Sequence, residues 1–295
     1  MSSERLSAEP YSDQDLIPID PPVVRVLDSG IPGPRITVIG GMHGDEPSGA
    51  RFLEGVLSGQ EELRPDRGKV AVVIANPTAY RRGVRAVNLN LNSMLTTAEV
   101  EPGPQPEFKS ARLLMDLLVE SDACIDLHEH KDIGMGSIAI APLSLAPIAS
   151  SLGTDLFVHG LETVEPGATD AYMAEIGKPG ICLELGHHQQ DNTALARDAV
   201  RRFLSLTGVL DTSEVLSPAK PRIAQARSLL IRQTSKFDFA PHVRSGEVLP
   251  PGVFAWDGGE ELRTGDAAMG VLFPRPARPI GSSVGILLDF EDEAL

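Results

Sequence analysis

The chain has 295 residues, a formal net charge of −15 and 42% hydrophobic residues, with aromatics at only 4%. That length suits one large α/β domain, with or without a smaller partner, around a mainly aliphatic core. The acidity argues against a binder of nucleic acid or anionic membrane, which needs a basic face.

Residues 1–22 read as a polar N-terminal arm that enters through Pro18, Pro21 and Pro22. It lacks the charged-then-apolar layout of a signal peptide. No apolar run approaches the roughly 20 residues of a membrane span. The expectation is a cytoplasmic protein. The two cysteines, Cys124 and Cys182, sit inside apolar runs and read as reduced, buried thiols.

A short strand is expected at Val23–Leu27 and a buried β-branched one at Arg35–Ile39. Gly40-Gly41-Met42-His43-Gly44-Asp45-Glu46 then turns the chain into a helix. In that helix Phe52, Leu53, Val56 and Leu57 recur at helical spacing. Pro47 suits its first turn, where a missing N–H costs nothing. Lys69–Ala75 reads as another buried strand, ending at Asn76-Pro77, and Pro102–Gln105 belongs to a proline-rich loop. A helix is predicted from about Phe108 to Glu120. Strands are predicted at Ala123–Leu127, Ser137–Ala141 and Ile181–Leu185. Asn192 or Thr193 caps a last helix that runs to about Leu206 and stops at Gly208.

The texture changes around Asp211–Pro221, and short β-like runs follow: Leu229–Ile231, Glu247–Leu249, Gly252–Ala255, Gly270–Phe273 and Val284–Leu288. The predicted fold class is α/β, a mixed sheet with helices on both faces. The predicted division is an arm at 1–22, a main domain at 23–212 and a C-terminal β domain at 222–295.

Polar candidates recur where strands end, which is where open α/β sheets bind ligands. His43 and Glu46 follow one strand and His128 follows another. A neutral imidazole and a carboxylate three residues apart can close on one Zn²⁺. Two histidines and one glutamate make a three-ligand site that leaves a fourth position for water. A lone His-x-x-Glu also fits an ordinary surface turn. Glu184, set among Cys182, Leu183 and Leu185, suits a general base for that water, or else a glutamate paired with an arginine.

The segment Asn76-Pro77-Thr78-Ala79 leading to Arg85, followed by Asn90-Leu91-Asn92-Ser93, carries a resemblance. With Gly41-Met42-His43-Gly44-Asp45-Glu46, Asp126-Leu127-His128 and Glu184-Leu185-Gly186, it is similar to the succinylglutamate desuccinylase/aspartoacylase family. These are zinc carboxypeptidase-like hydrolases, and the motifs span most of residues 35–190. The resemblance implies one Zn²⁺ held by His43, Glu46 and His128. It further implies Glu184 as base, Arg85 polarising the scissile carbonyl, and Asn92 holding substrate. It implies a zinc hydrolase domain at 23–212 and a β domain after it.

Two positions depart from the family pattern of Asp-Leu-Asn-Arg. Asn90 replaces an aspartate that steadies a metal-bound histidine; its oxygen still accepts a hydrogen bond, but without charge. Ser93 replaces an arginine that binds a substrate carboxylate. Asn90, Asn92 and Ser93 are therefore the expected substrate-side residues, with an uncharged group of the substrate at Ser93. Arg81, Arg82 or a residue of the C-terminal segment could still return the missing charge.

His130 is a second candidate for the third ligand, Glu129 a second candidate for the base, and His187 and His188 are either pocket or loop residues. The expected reaction is hydrolysis of the amide of an N-acyl amino acid or small acyl-amine by metal-activated water. A carboxypeptidase acting on a peptide end, and a non-catalytic zinc- or ligand-binding relative, stay open. The expected partner is a small-molecule substrate, without nucleic acid or membrane, and a homo-oligomer stays open.

Overall fold

The computed structural model describes residues 16–98, 103–211 and 220–291. The predicted arm lies at 1–15 outside the described residues, as do Pro102, most of the compositional break at 212–219, and 292–295.

The first half alternates strands and helices: β1 (Val23–Asp28), β2 (Arg35–Gly40), α1 (Pro47–Ser58), β3 (Lys69–Ile74), α2 (Pro77–Arg82), α3 (Glu107–Val119) and β4 (Ala123–His130). It continues through β5 (Ile138–Ile140), α4 (Ala146–Ser151), β6 (Leu156–His159), α5 (Leu161–Val164), α6 (Thr169–Glu175), β7 (Gly180–His187) and α7 (Thr193–Leu206). The C-terminal segment adds β8 (Arg222–Ile231), β9 (Phe237–Phe239), β10 (Val253–Asp257), β11 (Glu260–Arg263), β12 (Met269–Leu272) and β13 (Ser283–Phe290).

Ten strands form one mixed sheet in the order β1-β3-β2-β4-β7-β5-β6-β8-β13-β12. At its centre β2 runs parallel to β3 and β4, and β4 parallel to β7. Side chains alternate across a strand, so each central strand feeds two cores. Ile36, Val38, Ile125 and Leu127 pack with Phe52 and Leu53 of α1 and Phe203 of α7. Ile39 and Cys124 face the other way, onto Leu114 and Leu118 of α3 and Met173 of α6. Burial contributes roughly 1.5–3 kcal/mol for each such large side chain. Among the described residues no helix is long and apolar enough to cross a membrane.

The sheet continues past residue 222. β8 pairs in parallel with β6, then β13 and β12 follow antiparallel. Only β9, β10 and β11 form a separate antiparallel sheet. Glu247–Leu249, read from sequence as a strand, makes no ladder. Val248 bridges Gly270 alone, and Pro250-Pro251 follow without N–H donors to extend it. At α7 Asn192 holds the N-cap position without capping through its side chain. Asp191 Oδ1 instead accepts the Thr193 N–H at 3.1 Å and its hydroxyl at 2.6 Å.

Candidate functional site

The parallel strands β2, β4 and β7 open their carboxyl ends on one edge. His43 and Glu46 lie in the turn after β2, His128 lies near the end of β4, and Glu184 is its direct register partner on β7. The turn is tight because Gly44 lies against α2. A Cβ there would sit 2.0 Å from the Ala79 carbonyl carbon, so only glycine fits. The Gly44 N–H donates to the Arg85 carbonyl at 3.4 Å, and Asn76 caps α2 by accepting the Ala79 N–H at 3.0 Å. Helix α2, which the sequence reading did not resolve as an element, is thus what carries Arg85 to the site.

His43, Glu46 and His128 are buried, and one donor atom from each falls within 4.8 Å of the others. His43 Nδ1 lies 3.0 Å from Glu46 Oε1, and His128 Nδ1 lies 3.0 Å from Glu46 Oε2. His43 Nδ1 is buried without a hydrogen-bond partner among the described residues. The far ring nitrogens face oxygens, with an aligned hydrogen bond at His43 only. His43 Nε2 donates to Asn90 Oδ1 at 3.0 Å, and His128 Nε2 lies 3.1 Å from Asp126 Oδ2. Outer oxygens of this kind fix the tautomer and turn Nδ1 inward, the arrangement of histidines that ligate a metal. Thr169 Oγ1 donates to Asp126 Oδ2 at 2.6 Å and steadies that carboxylate in turn. The donor set fits a small divalent cation bound by nitrogen and oxygen.

Burial and close opposite charges shift these groups in different directions. Burial lowers His43. Burial also pushes Glu46 up, but His43 and His128 outweigh it and hold the carboxyl well below its usual range. Burial opposes protonation of His128, yet Asp126 and Glu46 raise it well above the usual imidazole value. Burial, then Glu46, lifts Glu184 to about 8, and its Oε2 has no hydrogen-bond partner among the described residues. Arg85 Nη1 donates to Glu46 Oε1 at 2.9 Å.

These residues border a cavity of about 270 Å³. Asn90, Asn92 and Ser93 line it as well. Asn90, grouped with the substrate-side residues above, spends its oxygen on His43. Asn92 Oδ1 is buried without a partner among the described residues, and the Ser93 hydroxyl donates to the Asn90 carbonyl at 2.8 Å. Of the other cations weighed, Arg81 pairs with Asp20, and neither it nor Arg82 lines the cavity. Arg275 and Arg278 of the C-terminal segment do line it. Arg275 Nη1 donates to Asp132 Oδ1 at 2.5 Å, while Arg278 is exposed at the rim.

His130 Nε2 donates to the Gly136 carbonyl at 3.0 Å and lies outside the donor cluster. Glu129 is committed elsewhere: it accepts the Ser48 N–H at 2.8 Å, the Ser48 hydroxyl at 2.7 Å and Asn192 Nδ2 at 2.7 Å. With Asn192 Nδ2 held there, Asp191 serves the N-terminus of α7 in its place. His187 and His188 do not line the cavity, and His188 Nδ1 donates to the Asp45 carbonyl at 3.2 Å.

Sequence reasoning missed Glu107 and Asp170. Glu107 is fully buried and accepts the Asn88 N–H at 2.9 Å, which holds the loop carrying Asn90 and Asn92. A lone acid at the start of α3 gave no signal beyond the usual preference of helix N-termini for negative charge.

A family model described as the succinylglutamate desuccinylase/aspartoacylase catalytic domain matches residues 32–207. A rat N-acyl-aromatic-L-amino acid amidohydrolase (carboxylate-forming) is 30% identical over 173 residues, 53% of this chain and 54% of that protein. This chain therefore spans about half the length of that relative. A succinylglutamate desuccinylase from Serratia proteamaculans is 24% identical over 282 residues, 87% of this chain and 85% of that one. The crystal structure of a succinylglutamate desuccinylase from Vibrio parahaemolyticus superposes with a TM-score of 0.70 at 18% identity, covering 94% and 93% of the two chains. The last likeness concerns the fold. Because the family model spans more than half of the sequence, the chain belongs to the succinylglutamate desuccinylase/aspartoacylase family.

Proposed function

We propose that this chain is a zinc-dependent amidohydrolase that removes the acyl group from an N-acyl amino acid or small acyl-amine. The observation that carries the reading is the convergence of a half-buried carboxyl, Glu184, and a guanidinium, Arg85, on the cavity beside the His43–Glu46–His128 cluster. A protein that only bound a metal would need neither. The names of the relatives, an N-acyl amino acid amidohydrolase and a desuccinylase, support the same bond type.

His43, Glu46 and His128 would hold Zn²⁺. When bound, zinc supplies a Lewis acid and brings the pKa of a coordinated water toward ~7. Beside a dication held by those three residues, Glu184 would be drawn down from about 8 toward the ionised form that a base requires. Glu184 then accepts the proton of the attacking water on its carboxylate. It returns that proton to the leaving nitrogen, so the amine departs neutral. Arg85 swings from Glu46 onto the carbonyl oxygen as negative charge develops there, usually the largest catalytic contribution in acyl transfer. Asn92, with an oxygen unpaired and facing the cavity, positions the substrate by accepting from an N–H.

The test is hydrolysis of a panel of N-acyl amino acids by the zinc-loaded protein, with chelation and zinc restoration as controls. Turnover that is lost on chelation and restored by zinc supports the proposal. A zinc-replete protein that cleaves none of the panel would overturn it.

A further inference from the structure

One wall of the cavity takes no part in the hydrolytic step. Asp170, in the first turn of α6, is 3% exposed and lines the cavity together with Ile140, Cys182 and Ile286. Helix α6 packs on β4 and β7, which sets this acid beside the strands that bear His128 and Glu184. Among the described residues its carboxylate has no ion pair and no side-chain hydrogen bond. It meets only the N–H groups of its own residue and of Ala171.

The nearby charges do not answer it. Asp126 is another acid, already engaged by Thr169 and facing His128. His128 is spent between Glu46 and Asp126. Arg85 rests on Glu46 and Arg275 on Asp132. Burial therefore lifts the Asp170 carboxyl to about 7, and Asp126 adds to the lift. A carboxylate among apolar side chains is costly unless something pairs with it. The N–H groups at the start of α6 satisfy it in part, as helix N-termini favour an acid, but among the described residues no cationic side chain pairs with it.

We propose that Asp170 is a specificity subsite for a positively charged group on the substrate, an ammonium or guanidinium carried on an aliphatic stem. The inference rests on the amidohydrolase reading for the scissile bond and names the side chain that the bond belongs to. Ile140, Cys182 and Ile286 would cover the methylenes of such a stem. The carboxylate would pair with its charged end, where a charge-assisted hydrogen bond in a low-dielectric wall is stronger than in water. The substrate class is an N-acylated diamine or basic amino acid, acylated on one nitrogen and cationic at the other.

The test compares Nα-acetyl-L-ornithine, Nα-acetyl-L-norleucine and Nα-acetyl-L-glutamate on the zinc-loaded full chain. The three share the acyl group and the α-carboxyl, and their side chains are of similar length. If the α-carboxylate is refused, the three carboxamides replace them. The expected kcat/KM for the ornithine compound exceeds that for norleucine by about tenfold or more, the usual worth of a hydrogen bond to a charged group. Glutamate is expected to rank last. Asp170→Asn should bring the ornithine-to-norleucine ratio close to one. A wild-type ratio near or below one, or a ratio that survives in Asp170→Asn, overturns the proposal.

Thermal melting checks that the variant folds, and the wild-type ratio decides if it does not. If none of the compounds is hydrolysed, the amidohydrolase reading fails and Asp170 is tested by calorimetry with L-ornithine and L-norleucine. Tighter binding of L-ornithine by about tenfold supports the subsite, and equal binding overturns it.

Discussion

Glu184→Gln keeps the shape of the proposed base and removes its charge, and its effect on stability can be worked out from the site. In the metal-free chain burial and Glu46 lift this carboxyl from 4.5 to about 8. A folded value above the unfolded one means that the native state holds the proton more tightly. The stabilisation is complete below about pH 4.5 and is lost as pH rises through about 8. The full shift corresponds to roughly 4–5 kcal/mol. The carboxyl opens onto the cavity, and solvent there reduces the expected loss to about 2 kcal/mol. Glutamine does not ionise and escapes it. Urea unfolding of chelator-treated wild type and variant at pH 5 and pH 9 measures the difference directly. The two proteins should match at pH 5, and Glu184→Gln should be the more stable by about 2 kcal/mol at pH 9. Titrating groups away from the cluster are common to both proteins and cancel, so the measured difference belongs to Glu184 together with Glu46 and His128, which act on it. Loaded with zinc, the variant should keep its metal and lose turnover by ~10²–10⁴. An offset that does not change with pH refutes the electrostatic account. Near-normal turnover of the zinc-loaded variant moves the base elsewhere.

Metal analysis should find about one Zn²⁺ per chain, lost in His43→Ala and His128→Ala but kept in His130→Ala. The reverse outcome for the last two would make His130 the third ligand. Asn90→Ala frees His43 Nε2 from its acceptor and should weaken zinc binding by ~10–100-fold in competition with a chelator; unchanged affinity would show that this bond does not orient the ligand. Ser93→Arg should shift preference from carboxamides of N-acyl amino acids toward the free acids by about tenfold. A wild type that already favours the free acids would assign the carboxylate to Arg278 at the rim.

Why some of this site is legible in the sequence follows from how tightly each task fixes its residues. His43 and Glu46 sit three apart because the turn from β2 into α1 aims both at one point. Gly44 is forced by the close approach of Ala79. His128 follows Ala123–Leu127, a short and mostly apolar run that reads as a strand without any structure. The two-faced core follows from side chains alternating across each central strand, whereas the sheet order has no signature in the sequence. The outer oxygens are harder. Asp126 is visible as part of Asp-Leu-His, but its hold by Thr169 depends on α6 packing against β4. Glu129 is the opposite case. Its type and place suit a base and it lines the cavity, yet its carboxylate is engaged by Ser48 and Asn192.

The wall that faces the substrate lacked such signals because it is assembled from segments far apart in the chain. Ile286 arrives on β13, whose sheet neighbours are β8 and β12, and the sequence reading assigned those strands to a separate β domain. Phe273 lines the cavity with φ at +52°, a left-handed conformation that local preference would give to glycine or asparagine. Its N–H donates to Ser245 Oγ at 2.9 Å, so the conformation is set by a contact twenty-eight residues away. Arg275 reaches Asp132 across an even longer separation. None of these pairings has a spacing rule. Substrate choice can therefore drift through the C-terminal strands and α6 while the residues after β2, β4 and β7 keep their spacing. Ser93 and Asp170 fit that division: one places an uncharged hydroxyl on the cavity wall and the other an acid, and neither lies within the donor cluster.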